Sequence, residues 1–141
     1  MILILEDNDQ RIIQFKKWFP CDTDIVKTSK EAIELLKTYT PSLILLDHDL
    51  GDQIYVASGE GTGWEVAKYI AENNIKSDVV VHSCNPVGAQ NMVGVLPNAH
   101  WIPFGSFTCE CDIEDSKITN VIIRPVKVIG DMTESGQIGN A

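Results

Sequence analysis

Three short apolar runs, each stopped abruptly by an acid or an imidazole, constrain this chain more than any other feature. They are Met1-Ile-Leu-Ile-Leu before Glu6, Asp7 and Asp9, Leu43-Ile-Leu-Leu before Asp47-His-Asp, and Val79-Val-Val before His82-Ser. A strand that is apolar on both faces belongs in a parallel sheet covered from both sides, and its polar tip marks where it emerges from the core. Between the runs the apolar spacing turns helical. Ile12, Ile13, Phe15, Trp18 and Phe19 follow a cap at Asn8 or Asp9 and stop at Pro20. A short second strand over residues 24–27 leads to Ser29 as N-cap and to Ala32, Ile33, Leu35 and Leu36 as the inner face of a second helix. Trp64, Val66, Ala67 and Ile70 mark a third helix, ended by Asn73-Asn74. Residues 85–96 predict a loop and a short helix, and residues 100–104 a weak fifth strand. Alternating strands and helices imply a doubly wound α/β domain with helices on both faces of a parallel sheet and a ligand crevice beyond the strand tips.

The last third leaves this rhythm. Residues 106–111 and 117–129 predict two β segments joined by an acidic turn over 112–116, and residues 131–141 lack hydrophobic periodicity. The expected organisation is an α/β domain over residues 1–104, a C-terminal β appendage over 105–130 and a flexible tail over 131–141. At 141 residues and 44% hydrophobic content the chain has enough material for one core. No apolar stretch approaches the roughly 20 residues of a membrane span. The start lacks the basic and small-residue features of a secretory signal, so a cytoplasmic location is expected. A net charge of −9 argues against extended nucleic-acid binding. Cys21, Cys84, Cys109 and Cys111 are expected as reduced thiols, because zinc on Cys109, Cys111 and His100 would want a fourth ligand and a two-residue spacing.

In a parallel sheet the polar tips converge. Carboxylates from adjacent strands repel unless a cation neutralises them, and oxygen donors favour a hard divalent ion such as Mg²⁺ or Mn²⁺. Asp7, Asp47 and Asp49 are the expected ligands. Acids after strands also serve as helix caps, and that plainer role fits Asp9 or Asp52. His48 and His82 add an acid and a base to the same crevice, the combination that hydrolysis of a phosphate ester requires. Strand alternation points Asp47 and His48 to opposite faces unless the Gly51 turn bends the chain. His82 after three valines also fits a satisfied core histidine. Ser83 and Asn85 offer donors to a phosphate oxygen, and an ordinary turn would use them equally well. The loop Gly59-Glu-Gly-Thr-Gly63, with Gly61 and Thr62 at its centre, could bring backbone N–H groups to an anion or simply connect two elements; it matches neither a P-loop nor a dinucleotide fingerprint. Trp64 and Trp101 could stack on a base, although Trp64 holds a core position.

Residues 1 to about 104 resemble the receiver domain of response regulators, a flavodoxin-like fold. The likeness rests on Leu5-Glu-Asp-Asn, on Leu43-Ile-Leu-Leu-Asp47, on Gly63-Trp-Glu-Val-Ala and on Ser83. It implies that Glu6, Asp7 and Asp47 hold Mg²⁺ and that a phosphoryl group is accepted there. The lysine of that family has no counterpart in Trp101-Ile-Pro-Phe-Gly105, which speaks against ordinary phospho-signalling. A closer resemblance is to the receiver-like branch of cyclic-phosphate processing. It is carried by Leu46-Asp-His-Asp-Leu-Gly51, Gly61-Thr-Gly-Trp64, and Val81-His-Ser-Cys-Asn-Pro86 followed by Gly88-Ala-Gln-Asn-Met92. That resemblance implies hydrolysis or binding of a cyclic phosphate, an RNA 2′,3′-cyclic end or a cyclic nucleotide, with Asp47, His48, Asp49, His82 and Asn85 in the site. The expected function is a metal-dependent phosphodiesterase. Its rivals are a protein that sequesters a cyclic nucleotide without turnover, and a pseudo-receiver that docks a partner, or a second copy, through the β appendage.

Overall fold

The structure is a computed structural model, and it describes residues 1–51 and 56–126. Asp52 and the tail expected over residues 131–141 lie outside the described residues. Five strands, β1 (Ile2–Leu5), β2 (Thr23–Val26), β3 (Leu43–Leu46), β4 (Asp78–Val81) and β5 (His100–Trp101), form a parallel sheet in the order β2-β1-β3-β4-β5. Four helices connect them: α1 (Asp9–Trp18), α2 (Ser29–Leu36), α3 (Gly63–Glu72) and α4 (Pro86–Val95). The central strands β1 and β3 are fully buried because each carries four apolar residues in a row. Among the described residues no helix is long and apolar enough to cross a membrane.

Local chemistry sets the helix starts. Asn8 caps α1 by accepting from the Arg11 N–H, and Asn85 caps α4 by accepting from the Gly88 N–H, with Pro86 in the first turn. The cap of α2 is Thr28 rather than Ser29. The Thr28 hydroxyl accepts from the Glu31 N–H at 3.1 Å and donates to the Glu31 carboxylate at 3.0 Å, a capping box that leaves Ser29 inside the helix. The segment before β5 is a full ten-residue helix, and β5 itself is only two residues long.

The two faces of the sheet are covered differently. Side chains alternate along β1, so Leu3 and Leu5 pack with Ala32, Leu36, Val66, Ile70 and Met92 of α2, α3 and α4. Ile2 and Ile4 pack on the opposite side with Phe15 of α1 and with Phe19, which caps its C-terminal end. One helix cannot cover that side, and the remainder is closed by an antiparallel hairpin, β6 (Phe107–Glu114) with β7 (Lys117–Pro125). Phe107, Cys109, Val121 and Ile123 deliver its apolar stripe into the core. Helices stand on both faces, as expected, and the hairpin completes the cover on the α1 side. Its turn is also tighter than the acidic loop predicted over residues 112–116. Asp115 and Ser116 both take left-handed φ, 51° and 61°, as a two-residue hairpin turn demands, so β6 runs on to Glu114. All four cysteines are free thiols, and burial pushes the Cys109 thiol up to about 12.

Candidate active site at the strand tips

The strand ladders continue one residue past the apolar runs. Glu6 donates its N–H to Val26, Asp47 to Leu5 and His82 to Leu46, at 2.9–3.1 Å. Because the backbone stays extended there, alternation governs the tips as well. Glu6 follows the parity of Ile2 and Ile4, Asp47 that of Leu43 and Leu45, and His82 that of Val80, so all three project toward α1. One ligand atom from each lies within 4.8 Å of the others, and all three residues are buried. The receiver resemblance includes Glu6 among the Mg²⁺ residues, whereas the reading of the strand tips alone, Asp7, Asp47 and Asp49, left it out; the alternation from Ile4 was the signal that could have found it there.

The Glu6 carboxylate is heavily solvated by protein. One oxygen meets His82 Nε2 at 3.0 Å, and the other accepts the N–H groups of Asp7 and Asn8 at 3.0 and 3.1 Å. Burial alone would raise its pKa; the hydrogen bond and charge of His82, the Asn8 N–H and Arg11 outweigh it and hold the acid below its ordinary value. Asp47 has fewer partners. Burial first, and then the negative charge of Glu6, pushes it up to about 7, although His82, the His48 N–H and Arg11 pull the other way. Arg11 Nη1 sits 3.6 Å from Glu6 and 4.0 Å from Asp47, its guanidinium over the Phe104 ring. His82 packs edge-on against Phe15, and its Nδ1 has no hydrogen-bond partner among the described residues.

One residue further along β3 the parity reverses, and His48 turns toward α4. Its Nδ1 meets Asp49 Oδ1 at 2.8 Å and its Nε2 meets Ser58 Oγ at 2.8 Å. Asp49 Oδ1 also accepts from the Asn85 amide at 3.1 Å and from the Val56 N–H at 3.3 Å. The imidazole lies so close to α4 that a Cβ on Gly88 would stand 2.4 Å from His48 Cγ. The two histidines expected to work as partners are therefore on opposite sides of the sheet.

The expected ligands Asp7, Asp47 and Asp49 are drawn apart in the same way. Asp47 alone enters the cluster with Glu6 and His82. Asp7 accepts the Gly51 N–H at 2.6 Å, where Gly51 takes a left-handed φ of 71°, and lines a cleft of about 950 Å³ with Lys27, Lys30, Glu60 and Gly61. Ser83 Oγ accepts from the Asn85 N–H, and the Ser83 carbonyl accepts from the Trp101 indole. The glycine loop uses its groups internally, the Gly61 N–H going to Glu65 and the Thr62 hydroxyl to the Gly59 carbonyl. Trp64 packs on the core, with Lys68 over its ring.

The sequence matches the family model described as "Cyclic-phosphate processing Receiver domain" over residues 1–98. No curated protein matches it. Solved structures of similar fold include the signal receiver domain of a protein described as a Luxo repressor from Vibrio parahaemolyticus, with 25% identity, TM-score 0.55, and coverage of 73% of this chain and 78% of that one. A two-component response regulator from Clostridium difficile is 19% identical, with TM-score 0.56 and coverage of 73% and 81%. The response regulator TrrA from Thermotoga maritima, solved in complex with Mg²⁺-BeF, is 15% identical, with TM-score 0.57 and coverage of 73% and 86%.

Proposed function

The chain belongs to the family of cyclic-phosphate processing receiver domains, and from that premise we propose that it hydrolyses a cyclic phosphate ester with a divalent cation, Mg²⁺ or Mn²⁺, held at the tips of β1, β3 and β4. One observation carries this: Glu6, Asp47 and His82 bring their ligand atoms within 4.8 Å in a buried site. Two oxygen donors and an imidazole suit Mn²⁺ well and Mg²⁺ acceptably, and the unsatisfied His82 Nδ1 marks polar capacity that the protein itself does not fill. Burial first, and then the charge of Glu6, pushes Asp47 up to about 7, so a cation beside it would favour its ionised form. A bound ion would supply positive charge and neutralise the phosphate oxygens during attack at phosphorus.

The protein groups have separable tasks. Arg11, with 27% of its side chain exposed, bridges the cluster to solvent and can pair with a phosphate oxygen while still neutralising Glu6. Glu6 fixes the His82 ring through Nε2. His82, oriented in this way, would complete the ligand set beside the two carboxylates. The full enclosure of His82 between Phe15 and Glu6 favours a second reading, in which the site binds the cyclic phosphate through Arg11 and the ion without turning it over.

Incubation with 2′,3′-cyclic and 3′,5′-cyclic mono- and dinucleotides, in Mg²⁺, Mn²⁺ or EDTA, tests both. Metal-dependent ring opening is expected. Retention of an intact compound would favour the binding reading, and neither turnover nor retention would remove both.

A further inference from the structure

The contacts of His48 are arranged as a relay that the metal cluster does not use. Asp49 Oδ1 lies 2.8 Å from His48 Nδ1, and His48 Nε2 lies 2.8 Å from Ser58 Oγ. A carboxylate only accepts hydrogen bonds, so its contact places the imidazole proton on Nδ1 and leaves Nε2 to accept from the Ser58 hydroxyl. Asp49 is itself anchored by the Asn85 amide and the Val56 N–H. The ring is fully buried and is locked against the first turn of α4, where only a glycine at position 88 leaves it room. Ser58 is partly exposed, and its Oγ also accepts from the Asn91 amide at 2.9 Å. A buried base, oriented from behind by a carboxylate and facing a solvent-accessible hydroxyl, is the arrangement that activates a serine.

We propose that Asp49, His48 and Ser58 form a nucleophilic relay on the α4 side of the sheet, which transfers the acyl group of an uncharged carboxylic ester to Ser58. The charge at the site selects this class. Among the described residues no lysine or arginine hydrogen-bonds to His48, Ser58 or Asn91, while Asp49 lies directly behind the ring and the chain as a whole carries −9. An anionic phosphate would be repelled there and is better served on the Arg11 side. In the first step the Ser58 proton passes to His48 Nε2 as the Oγ–carbon bond forms and the carbonyl oxygen becomes an oxyanion. Collapse of that oxyanion breaks the bond to the alcohol oxygen, which takes the proton from His48. Water then attacks the acyl-serine, giving its proton to His48, and the Ser58 oxygen recovers it as the acid leaves. The net reaction is ester plus water to acid plus alcohol.

The test uses a fluorophosphonate probe, uncharged and specific for activated serines, together with p-nitrophenyl acetate, on the full chain with and without EDTA. One label per chain at Ser58, located by peptide mass spectrometry and unchanged by EDTA, is expected, with S58A unlabelled. H48Q should lower the labelling rate about 100-fold. D49N, which keeps the side-chain volume, gives the same comparison if H48Q does not fold. Absence of label, label at another residue, label that is indifferent to both variants, or EDTA-sensitive label would overturn the relay. Covalent capture of a cyclic nucleotide at Ser58 would overturn the assignment of an uncharged ester. None of these outcomes depends on whether the metal cluster turns over cyclic phosphates.

Discussion

Replacing Asp47 by asparagine should stabilise the metal-free protein at neutral and alkaline pH, although it removes a residue at the centre of the proposed site. The carboxyl is only 7% exposed, and burial beside Glu6 moves it from an ordinary value of 3.8 to about 7. Between those values the native state retains a proton that the unfolded chain has already released. Stability therefore falls as pH rises from about 4 to about 7 and stays low above that. Taken at face value, ionising Asp47 in the fold costs about 4 kcal/mol. Relaxation and water entry at the tip reduce such penalties, so ~2 kcal/mol is a working figure. For a chain of this length that is a rise in Tm of ~6–8 °C for D47N over wild type at pH 8 in EDTA, shrinking toward zero near pH 4. Glu6 and Asp22 are held below their ordinary values, so they contribute stability above pH ~4 and lose it only as pH falls further; the window from 4 to 7 belongs to Asp47. A cation at 100 times its Kd should return about 2.7 kcal/mol to wild type and much less to D47N. Thermal melts followed by circular dichroism across pH 4–9, with and without Mn²⁺, read all of this. Equal melting temperatures for the two proteins at pH 8 in EDTA would refute the claim that Asp47 is a buried, under-neutralised carboxyl.

H82Q should lower any metal-dependent cyclic-phosphate turnover by about 100-fold or more, because a glutamine amide can hold Glu6 but is a poorer donor to the ion than an imidazole; steady-state kinetics across a Mn²⁺ titration, beside a melt, separate this from loss of fold. F107A should lower stability by about 3–5 kcal/mol in urea unfolding, since Phe107 is only 2% exposed and packs in the core on the α1 side of the sheet; a loss below 1 kcal/mol would mean that the hairpin is merely attached. G63A and G88A should both destabilise the protein, G63A by displacing backbone, because its Cβ would meet the Asp47 carbonyl oxygen, and G88A by pushing on the His48 ring. Both should also slow fluorophosphonate labelling of Ser58, G88A through the His48 ring and G63A because its Cβ would crowd the His48 Cα as well.

The strands of the sheet were legible because a run such as Leu43-Ile-Leu-Leu has no polar residue to offer water and fits only where both faces are covered. Their polar tips were legible for the same reason. The partition of the tips was not, because it depends on how far the extended backbone continues. The ladder bonds of Glu6, Asp47 and His82 show that it continues one residue past each run, and this decides which of two adjacent polar residues joins the cluster. Grouping Asp7 with Asp47 and Asp49 followed residue type, whereas parity groups Glu6 with Asp47 and His82. The hairpin could be read as β segments from its alternation, but its covering role could not, since nothing local in Phe107 or Val121 states that α1 leaves part of its face open. Ser58 was beyond reach because it stands ten positions from His48 in the sequence, outside any local spacing rule.

That single-residue change of face also bears on how the two sites relate. Asp47 and His48 are bonded neighbours, with the His48 N–H donating to Asp47 Oδ1 at 2.9 Å, yet one side chain enters the acidic cluster and the other the serine relay. A cation drawn to Asp47 acts on the carboxylate whose Oδ1 also fixes the backbone carrying the imidazole, so occupancy of one site bears mechanically on the other through one peptide unit. The effect must be small, because the His48 ring is held independently by Asp49, Ser58 and the surface of Gly88. A Mn²⁺-dependent change in Ser58 labelling of no more than about twofold is consistent with that rigidity. Coupling above ~1.4 kcal/mol, a tenfold change, would require the β3 tip to move as a hinge, and the close contacts of Gly63 with Asp47 and Gly88 with His48 argue that it cannot.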